Sequence, residues 1–345
     1  MEKYTAKYNW PLIGNSHITD FLDISITNKS ISEAYIFNGP DNLGKTAVAI
    51  NFAKILLCDN KNNSTNLPCG ICKSCKLFFN NNKTIKAHSD FFLLKKNKDK
   101  KNIAVEQIRE FIQFLSTSSF LNSYKIGIIK NAENMNLQSS NALLKTLEEP
   151  QKNAIIILTT NNIELLPKTI VSRCQILEFK QVKTDIIYDY LIKNHNAKRS
   201  EAKTYSRICL GRPALAIKFL EDKDFLNFHN NKAEMFINFF NQNISERFSI
   251  IEKSFDKKMQ TQEVVNITEK TIKIWLGITR DFLLLKYGFF NIIQNQMHEQ
   301  KIEQIKNNLS INKILLIINS LLISQKYLHA NVNPKLVLEN IAVEI

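Results

Sequence analysis

Residues 39–46, Gly-Pro-Asp-Asn-Leu-Gly-Lys-Thr, have the G-x-x-x-x-G-K-T spacing of a phosphate-binding loop. Glycines at this spacing let successive backbone N–H groups point at one anion, while the lysine reaches the outer phosphates and the threonine hydroxyl ligates Mg²⁺. We therefore predict that Gly39, Gly44, Lys45 and Thr46 bind a nucleoside triphosphate such as ATP. A chance glycine turn is the alternative, but the chain has only 8 glycines and this loop lies between a predicted strand and a predicted helix.

Four of the six cysteines lie close together in the sequence, namely Cys58, Cys69, Cys72 and Cys75. Overlapping CxxC pairs place three thiolates on a tight turn, and Cys58, at the end of a predicted helix, can complete the tetrahedron of sulfurs that zinc prefers. Four thiolates leave no open coordination position, so we expect a structural Zn²⁺ that holds a polar insertion together. A redox role for one CxxC pair is the alternative, but it would leave the other thiols without a purpose.

The composition indicates a globular chain. Its 345 residues are 44% hydrophobic, which is enough for two or three packed domains, and the apolar stretch at 314–323 is shorter than the roughly 20 residues that cross a bilayer. The N-terminus lacks the apolar core of a signal peptide, so we expect a cytoplasmic protein with reduced cysteines. The net charge of +14 would suit nucleic acid, but lysines are spread along the chain, and the densest run, 95–101, is equally typical of a solvated loop.

The elements that must position these residues alternate between short apolar runs and helical stretches as far as residue 182. We predict strands at 34–37, 91–94, 126–129, 155–158 and 176–179, and helices at 47–57, 105–117, 140–149 and near 167–172. Apolar strands separated by helices indicate an α/β fold with a parallel sheet buried on both faces. The phosphate loop would lie at the carboxyl end of the first strand, where such sheets bind ligands.

Helical periodicity replaces the β pattern after residue 182. Helices predicted at 185–193, 197–210 and 213–220 form a small bundle, and longer amphipathic helices follow at 225–241, 245–257, 262–287, 299–308, 311–330 and 334–345. We expect three domains: a nucleotide-binding domain at 1–182 that includes the cysteine module at 58–75, a small helical domain at 183–222, and an all-helical domain at 223–345.

Several segments resemble the AAA+ clamp-loader family of DNA replication. Residues 139–150, SSNALLKTLEEP, are similar to a signature helix of that family, and 166–174, LPKTIVSRC, match its LPxTIxSRC element. Residues 156–161, IILTTN, resemble its sensor-1 strand, and the phosphate loop and cysteine insertion resemble those of its bacterial ATPase-like subunits. Residues 331–339, NVNPKLVLE, resemble the end of the delta-prime subunits of DNA polymerase III. The resemblance spans nearly the whole chain.

The resemblance implies an assembly and a role for one arginine. It implies a helical lid at 183–222, an oligomerisation collar at 223–345, and a hetero-pentamer with gamma/tau-like ATPase subunits and a delta-like subunit that loads a sliding clamp onto primed DNA. In this family ATP lies between neighbouring subunits, and Arg173 of the SRC element matches the arginine that one subunit presents to its neighbour's γ-phosphate. A surface arginine that only caps a helix end is the alternative.

The chain departs from the family at its own hydrolytic site. Hydrolysis requires an acidic residue near the phosphate loop to hold Mg²⁺ and a carboxylate to orient water. Where the family pattern IIDxAExM has its aspartate, at the end of a strand expected beside the phosphate loop, this chain has Lys130, which cannot ligate magnesium. Glu133, Lys45 and Thr46 are retained, so we expect ATP binding with slow or absent hydrolysis. The alternative is a motif displaced by one residue, with another acid in the metal position.

Three other residues are interpreted through the resemblance. Thr160 corresponds to the polar sensor-1 residue, and Arg212 lies where the lid can face nucleotide, although a solvated position at a helix start is the alternative for Arg212. His88, in a segment that resembles the family's HPD step, is interpreted as structural.

Functions of different classes remain open at the level of sequence. Lys130 and the NVNP segment favour a non-motor stator of the delta-prime class, and because the sequence stops there we expect no tau-like extension, while a gamma-like form stays open. The intact phosphate loop favours a DNA-stimulated ATPase motor or a related AAA+ remodelling enzyme. A DNA-binding module would require a focused basic face.

Overall fold

The computed structural model describes residues 8–60, 67–78, 88–97, 100, 102–119, 124–255, 261–330 and 332–345. The chain divides into two compact units, Met1–Ile186 with Arg212–Ala214, and Ile187–Gly211 with Leu215–Ile345. The division into three domains at residues 182 and 222 stays a prediction. Some sequence predictions fall partly outside the described residues: those on the N-terminus (1–7), the cysteine insertion (61–66), the segment before His88 (87), the basic run (98, 99 and 101), one helix (256 and 257) and the NVNP segment (331).

The first unit is built on five strands. They are β1 (Ala34–Asn38), β2 (Phe91–Leu94), β3 (Lys125–Ile129), β4 (Ala154–Thr160) and β5 (Gln175–Glu178). Its helices are α1 (Ser16–Thr27), α2 (Lys45–Leu56), α3 (Lys73–Phe78), α4 (Val105–Ser116), α5 (Leu137–Glu148) and α6 (Lys168–Val171), with short 3₁₀ turns at Ala132–Asn134 and Ile163–Leu165. Each predicted strand is present, with ends that differ by two residues at most.

The strands form one parallel sheet in the order β2-β3-β4-β1-β5. The prediction of an α/β fold with a parallel sheet is confirmed. The strand β3, which precedes Lys130, is separated from β1 by β4. Since all strands are parallel, their carboxyl ends still meet at one edge of the sheet, where the loops after β1, β3 and β4 can act together.

Apolar side chains alternate along the strands between the two faces of the sheet. Tyr35 and Phe37 pack with α1 and α2 on one face, whereas Ile36 packs with α4, α5 and α6 on the other. On that second face Gly127 allows α4 to approach closely, since a Cβ added there would lie 2.3 Å from Cζ of Phe111. Burial on both faces explains why the strands are continuously apolar.

In the first unit α1 and α3 were not predicted, and α5 begins three residues earlier than predicted. The helix α1 was not predicted, because its sequence SHITDFLDISIT is rich in β-branched residues and its N-cap, Asn15, makes no side-chain cap hydrogen bond. The helix α5 begins at Leu137 rather than at Ser140, because Asn136 caps it by accepting a hydrogen bond from the Ser139 N–H at 2.8 Å.

In the described residues of the second unit, all regular secondary structure is helical. Its helices are α7 (Thr184–His195, which begins at the end of the first unit), α8 (Arg199–Ile208), α9 (Pro213–Glu221), α10 (Lys223–Phe239), α11 (Ile244–Lys253), α12 (Thr261–Lys286), α13 (Glu299–Asn308), α14 (Ile311–His329) and α15 (Pro334–Glu344), with 3₁₀ turns at Phe290–Ile292 and Gln296–His298. Trp275 of α12 lies at the centre of its core and stacks on Phe236 of α10 with ring centroids 5.1 Å apart. Among the described helices, none is both long enough and apolar enough to cross a membrane.

Candidate functional site

The phosphate loop leaves β1 after Asn38 and enters α2 at Lys45. Gly39, Asn42 and Gly44 have φ values of 140°, 63° and 96°, so the backbone curls through left-handed conformations that favour glycine and asparagine. A Cβ added at Gly39 would lie 2.3 Å from the carbonyl oxygen of Phe179, so only glycine fits there. The loop ends at the N-terminus of the 12-residue helix α2. A helix N-terminus is a favourable place for an anion.

The ammonium of Lys45 is directed at oxygens of its own chain. Its Nζ donates hydrogen bonds to the Gly39 carbonyl, to the Pro40 carbonyl at 2.7 Å and to Oδ1 of Asn161 at 3.0 Å, which uses its three donors. The side chain is only 6% exposed. Burial lowers the pKa of Lys45, and the nearby carboxylate of Asp41 opposes that shift. To reach a phosphate oxygen, the ammonium must exchange at least one of these contacts.

Asn161 is a site residue that the sequence prediction missed. It follows β4 directly, and β4 pairs with β1, so its amide oxygen lies beside the loop. Thr160, the residue predicted to sense nucleotide, is buried and donates its hydroxyl to the Asn162 carbonyl at 3.0 Å. Its position one residue past the end of a predicted strand was visible in the sequence, but that position alone does not show that β4 lies next to β1. A nucleotide contact by Thr160 stays a prediction.

Two charged residues after β3 act on the same site. Lys130 is exposed, and Glu133 is half-buried with an Oε2 atom that has no hydrogen-bond partner in the described part of the chain. Glu133 opposes the lowering of the Lys45 pKa that burial causes, whereas Lys130 adds to it. The end of β3 therefore places one carboxylate and one ammonium within electrostatic reach of the phosphate loop, and no aspartate at the position where the resemblance expects one.

The segment Arg212–Ala214 lies against the phosphate loop. The backbone N–H of Ala214 donates to the carbonyl of Asn42 at 3.1 Å, and both residues belong to the first unit. Arg212 is half-buried, and Thr46, at the second position of α2, is half-buried as well. Arg212 and Thr46 thus lie at or near the predicted site, and their roles toward nucleotide and Mg²⁺ stay predictions.

Arg173 follows α6 and is held by three acceptors. Its Nη1 donates to the Thr169 carbonyl at 2.7 Å and, in a longer contact, to Oγ of Ser172 at 3.5 Å, and its Nη2 forms an ion pair with Oε1 of Glu148 at 2.7 Å. The Arg173 side chain is 34% exposed. Among the described residues, no hydrogen bond or ion pair joins Arg173 to the loop at 39–46, so its guanidinium is available at the surface rather than used in the chain's own phosphate loop.

The four clustered cysteines form a compact group. All four Sγ atoms lie within 4.8 Å of one another, with Sγ–Sγ distances of 3.5 Å from Cys58 to Cys69, 3.9 Å from Cys58 to Cys72 and 3.9 Å from Cys69 to Cys75. A tetrahedral site with zinc–sulfur bonds of about 2.3 Å has sulfurs about 3.8 Å apart. The cluster is therefore consistent with a structural zinc site.

Backbone N–H groups support the sulfurs. The N–H of Cys72 points at Sγ of Cys69 at 3.5 Å, and the N–H of Cys75 points at Sγ of Cys72 at 3.3 Å. Backbone donors lower the pKa of Cys69 to about 6, whereas burial raises the pKa of Cys58 and of Cys75. The turn thus prepares a thiolate at its exposed side, and a bound cation would favour thiolates at the buried positions.

A buried histidine ties this module to the rest of the first unit. The N–H of Asp90 donates to Nδ1 of His88 at 3.0 Å, so the ring proton is on Nε2, which lies 2.9 Å from Oγ of Ser74. The Ser74 hydroxyl in turn donates to the carbonyl of Leu57 at 2.5 Å. His88 therefore links the cysteine turn, the end of α2 and the start of β2, which supports its interpretation as structural.

The chain is similar to proteins of bacterial DNA replication. Residues 14–183 match the family model described as DNA polymerase III, delta subunit. The chain is 27% identical over 319 residues to the DNA polymerase III subunit delta' of Bacillus subtilis, covering 92% of each chain. It is 32% identical over 192 residues to the B. subtilis subunit tau, covering 56% of this chain and 32% of that subunit. It is 35% identical over 143 residues to the subunit delta' of Pseudomonas aeruginosa, covering 41% of this chain and 42% of that subunit. The similarity thus spans only about a third to two fifths of the length of the last two relatives.

Proposed function

Since the chain belongs to the delta-prime family of DNA polymerase III clamp-loader subunits, with an AAA+-like fold, we propose that it acts as a stator that supplies Arg173 to the ATP site of a neighbouring subunit. Its partners in this proposal are gamma/tau-like ATPase subunits and a delta-like subunit in a hetero-pentamer. The assembly loads a sliding clamp onto primed DNA in the bacterial cytoplasm. The helical stretches 183–222 and 223–345 serve as lid and collar.

The observation that carries this proposal is that Arg173 is partly exposed and is not used by the chain's own phosphate loop. Its guanidinium is one-third exposed and makes no hydrogen bond or ion pair with the phosphate loop in the described part of the chain. A planar, permanently charged group is suited to the charge that develops on a transferred phosphoryl group, and such arginines raise hydrolysis by roughly 10³- to 10⁵-fold. The phosphate that Arg173 serves therefore belongs to another subunit.

The chain's own phosphate loop binds ATP without effective turnover in this proposal. Lys45 and Thr46 are retained at the start of α2, but Lys130 replaces the expected metal ligand and adds positive charge near the loop. A site that lacks a carboxylate at this position holds Mg²⁺ weakly and so stabilises the transition state poorly. The four-cysteine module holds Zn²⁺ and has no part in the chemistry.

The experiment is to assemble the clamp loader with an Arg173→Ala chain and to measure the pre-steady-state burst of DNA-stimulated ATP hydrolysis. The site that faces Arg173 should slow by roughly 10³-fold or more, so the burst should lose the amplitude of one site. Arg109→Ala is the matched control, because Arg109 is exposed on α4 and the same atoms are removed. An unchanged burst with Arg173→Ala would rule out the finger.

A second candidate function is an active ATPase motor of the gamma type. The intact phosphate loop favours it, and so does Glu133, whose Oε2 atom has no hydrogen-bond partner among the described residues and could orient a water molecule near the loop. Steady-state ATP turnover by the isolated chain, abolished by Lys45→Ala, would support the motor and contradict the stator.

A further inference from the structure

The ion pair between Glu148 and Arg173 joins two helix ends of the first unit. Glu148 is the last residue of α5, Arg173 lies two residues after α6, and their Oε1 and Nη2 atoms are 2.7 Å apart. Both helices are anchored on the same face of the sheet, because Leu147 and Ile170 belong to one buried cluster. The pair is therefore carried by packed elements rather than by a loose loop.

Local preference does not explain a carboxylate at this position. The last turn of a helix has exposed carbonyls and a negative end of its dipole, so an acidic residue there is unfavourable without a cation nearby. Stability gives no explanation either, since both side chains are partly exposed, at 34% and 47%, and an exposed ion pair contributes little. What the contact does provide is orientation, because it and the Thr169 carbonyl fix one edge of the guanidinium.

We propose that Glu148 is a positioning residue for Arg173. This inference rests on the proposed function of Arg173. Glu148 holds the guanidinium before the neighbouring subunit arrives, so the long side chain does not have to be ordered during ATP hydrolysis. A guanidinium has five N–H donors, and the three acceptors, which all lie at Nη1 and Nη2, leave other donors for the anion of the neighbouring site.

The test compares four single variants and one double variant in the assembled clamp loader, with the rate and the KM for ATP measured separately. Glu148→Ala should slow hydrolysis at the affected site about tenfold with KM within about twofold, because positioning acts in the transition state rather than on ATP binding. Glu148→Gln keeps an oxygen acceptor and should recover part of the rate. Glu149→Ala is the matched control, since Glu149 is adjacent and exposed and has no ion pair in the described structure.

The double variant separates positioning from a general structural role. In an Arg173→Ala background, Glu148→Ala should cause no further loss, because the group that it positions is gone. An equal loss in both backgrounds, an unchanged rate, or a faster rate with Glu148→Ala would each overturn the inference. If Arg173→Ala alone has no effect, the proposed function of Arg173 is wrong, and the inference about Glu148 is wrong with it. Should the alanine variant unfold at a lower temperature, Glu148→Gln carries the same comparison.

Discussion

The charge balance around Lys45 depends on backbone carbonyls and side chains from three loops, which follow β1, β3 and β4. Its ammonium is satisfied by the Gly39 and Pro40 carbonyls and by Asn161, and its pKa is lowered by burial and further by Lys130. A bound phosphate must therefore compete with oxygens already in place. A Mg²⁺ ion that accompanies ATP would add positive charge near Lys130, which has an ammonium where a carboxylate would ligate the metal. We therefore expect ATP binding without turnover.

We predict that Lys130→Asp makes ATP binding by the isolated chain dependent on Mg²⁺. The substitution removes a positive charge and supplies a carboxylate at the end of β3, so Mg²⁺ should tighten ATP binding about tenfold, which corresponds to about 1.4 kcal/mol. The measurement is ATP titration by calorimetry with Mg²⁺ and with EDTA.

Lys130→Met is the control for this experiment, because it removes the charge without adding a ligand. If both variants gain equally, electrostatic relief rather than metal ligation explains the effect. If wild-type binding already depends on Mg²⁺ as strongly as that of Lys130→Asp, another acid fills the position and the argument from Lys130 is wrong.

At the residue scale, the sequence predicts which side chains have a chemical role better than it predicts which residues lie next to each other in space. The predicted phosphate loop at 39–46 is identified by residue type and spacing, because the anion site that we predict there depends on local backbone geometry alone. Asn161 and Glu148 could not be identified in the same way. Their roles depend on β4 lying next to β1 and on α5 and α6 ending side by side, which are properties of the assembled sheet and not of local spacing.

The cysteine module is the element whose stability should depend most on a ligand. The short helix α3 carries Cys75 and Ser74, and the hydrogen bonds of Ser74 reach His88 and the Leu57 carbonyl. If the cluster holds the proposed zinc, loss of the metal would remove the bonds that join the four sulfurs, and the effect should pass through these contacts to the end of α2. The same contacts support a structural role for His88. Its ring is also stacked on Phe78, with centroids 4.9 Å apart.

We predict that Cys72→Ser lowers both the zinc content and the thermal stability of the first unit. One zinc per chain should be found in protein purified under reducing conditions, and the variant should retain less than about half of it, because a hydroxyl is a poor replacement for a thiolate. Each kcal/mol lost should lower the melting temperature by about 2–4 °C for a unit of this size. Atomic absorption and calorimetry measure the two quantities.

Cys174→Ser is the matched control, since Cys174 lies outside the cluster. It should leave the zinc content unchanged. Wild-type protein without zinc would contradict the metal site and leave the redox interpretation of the CxxC pairs.

Elements were predicted from sequence wherever the hydrophobic pattern and the local signals agreed. The five strands were found because burial on both faces makes them continuously apolar. The helix α1 was missed because Ile18, Ile24 and Ile26 favour strands locally, and packing of Ile18 and Leu22 against the sheet overrides that preference. The short helix α3 gave no periodic signal, since it spans only six residues.

At the scale of the whole molecule, the second unit presents apolar side chains that its own core does not cover. On α14, Leu316 is 57% exposed, and Leu315, Leu322, Ile323 and Tyr327 are exposed as well. Residues 316, 323 and 327 follow a helical spacing, so they lie along one side of the helix, opposite to Ile314, Ile317 and Leu321 in the core. Several large apolar side chains exposed along one side of a helix are typical of an interaction site, as the collar proposal requires.

We predict that Leu316→Lys weakens assembly with the other clamp-loader subunits while leaving this chain folded. Burial of one leucine contributes about 2 kcal/mol and a buried lysine adds a desolvation cost, so the affinity should fall at least about thirtyfold. Sedimentation of the mixed subunits gives the affinity, and calorimetry gives the stability of the variant alone. Asn227→Lys on α10 is the control, because it adds the same charge at an exposed position of the same unit. Equal assembly of both variants would show that α14 faces solvent in the complex, and the surface that joins this subunit to its neighbours would then have to lie elsewhere.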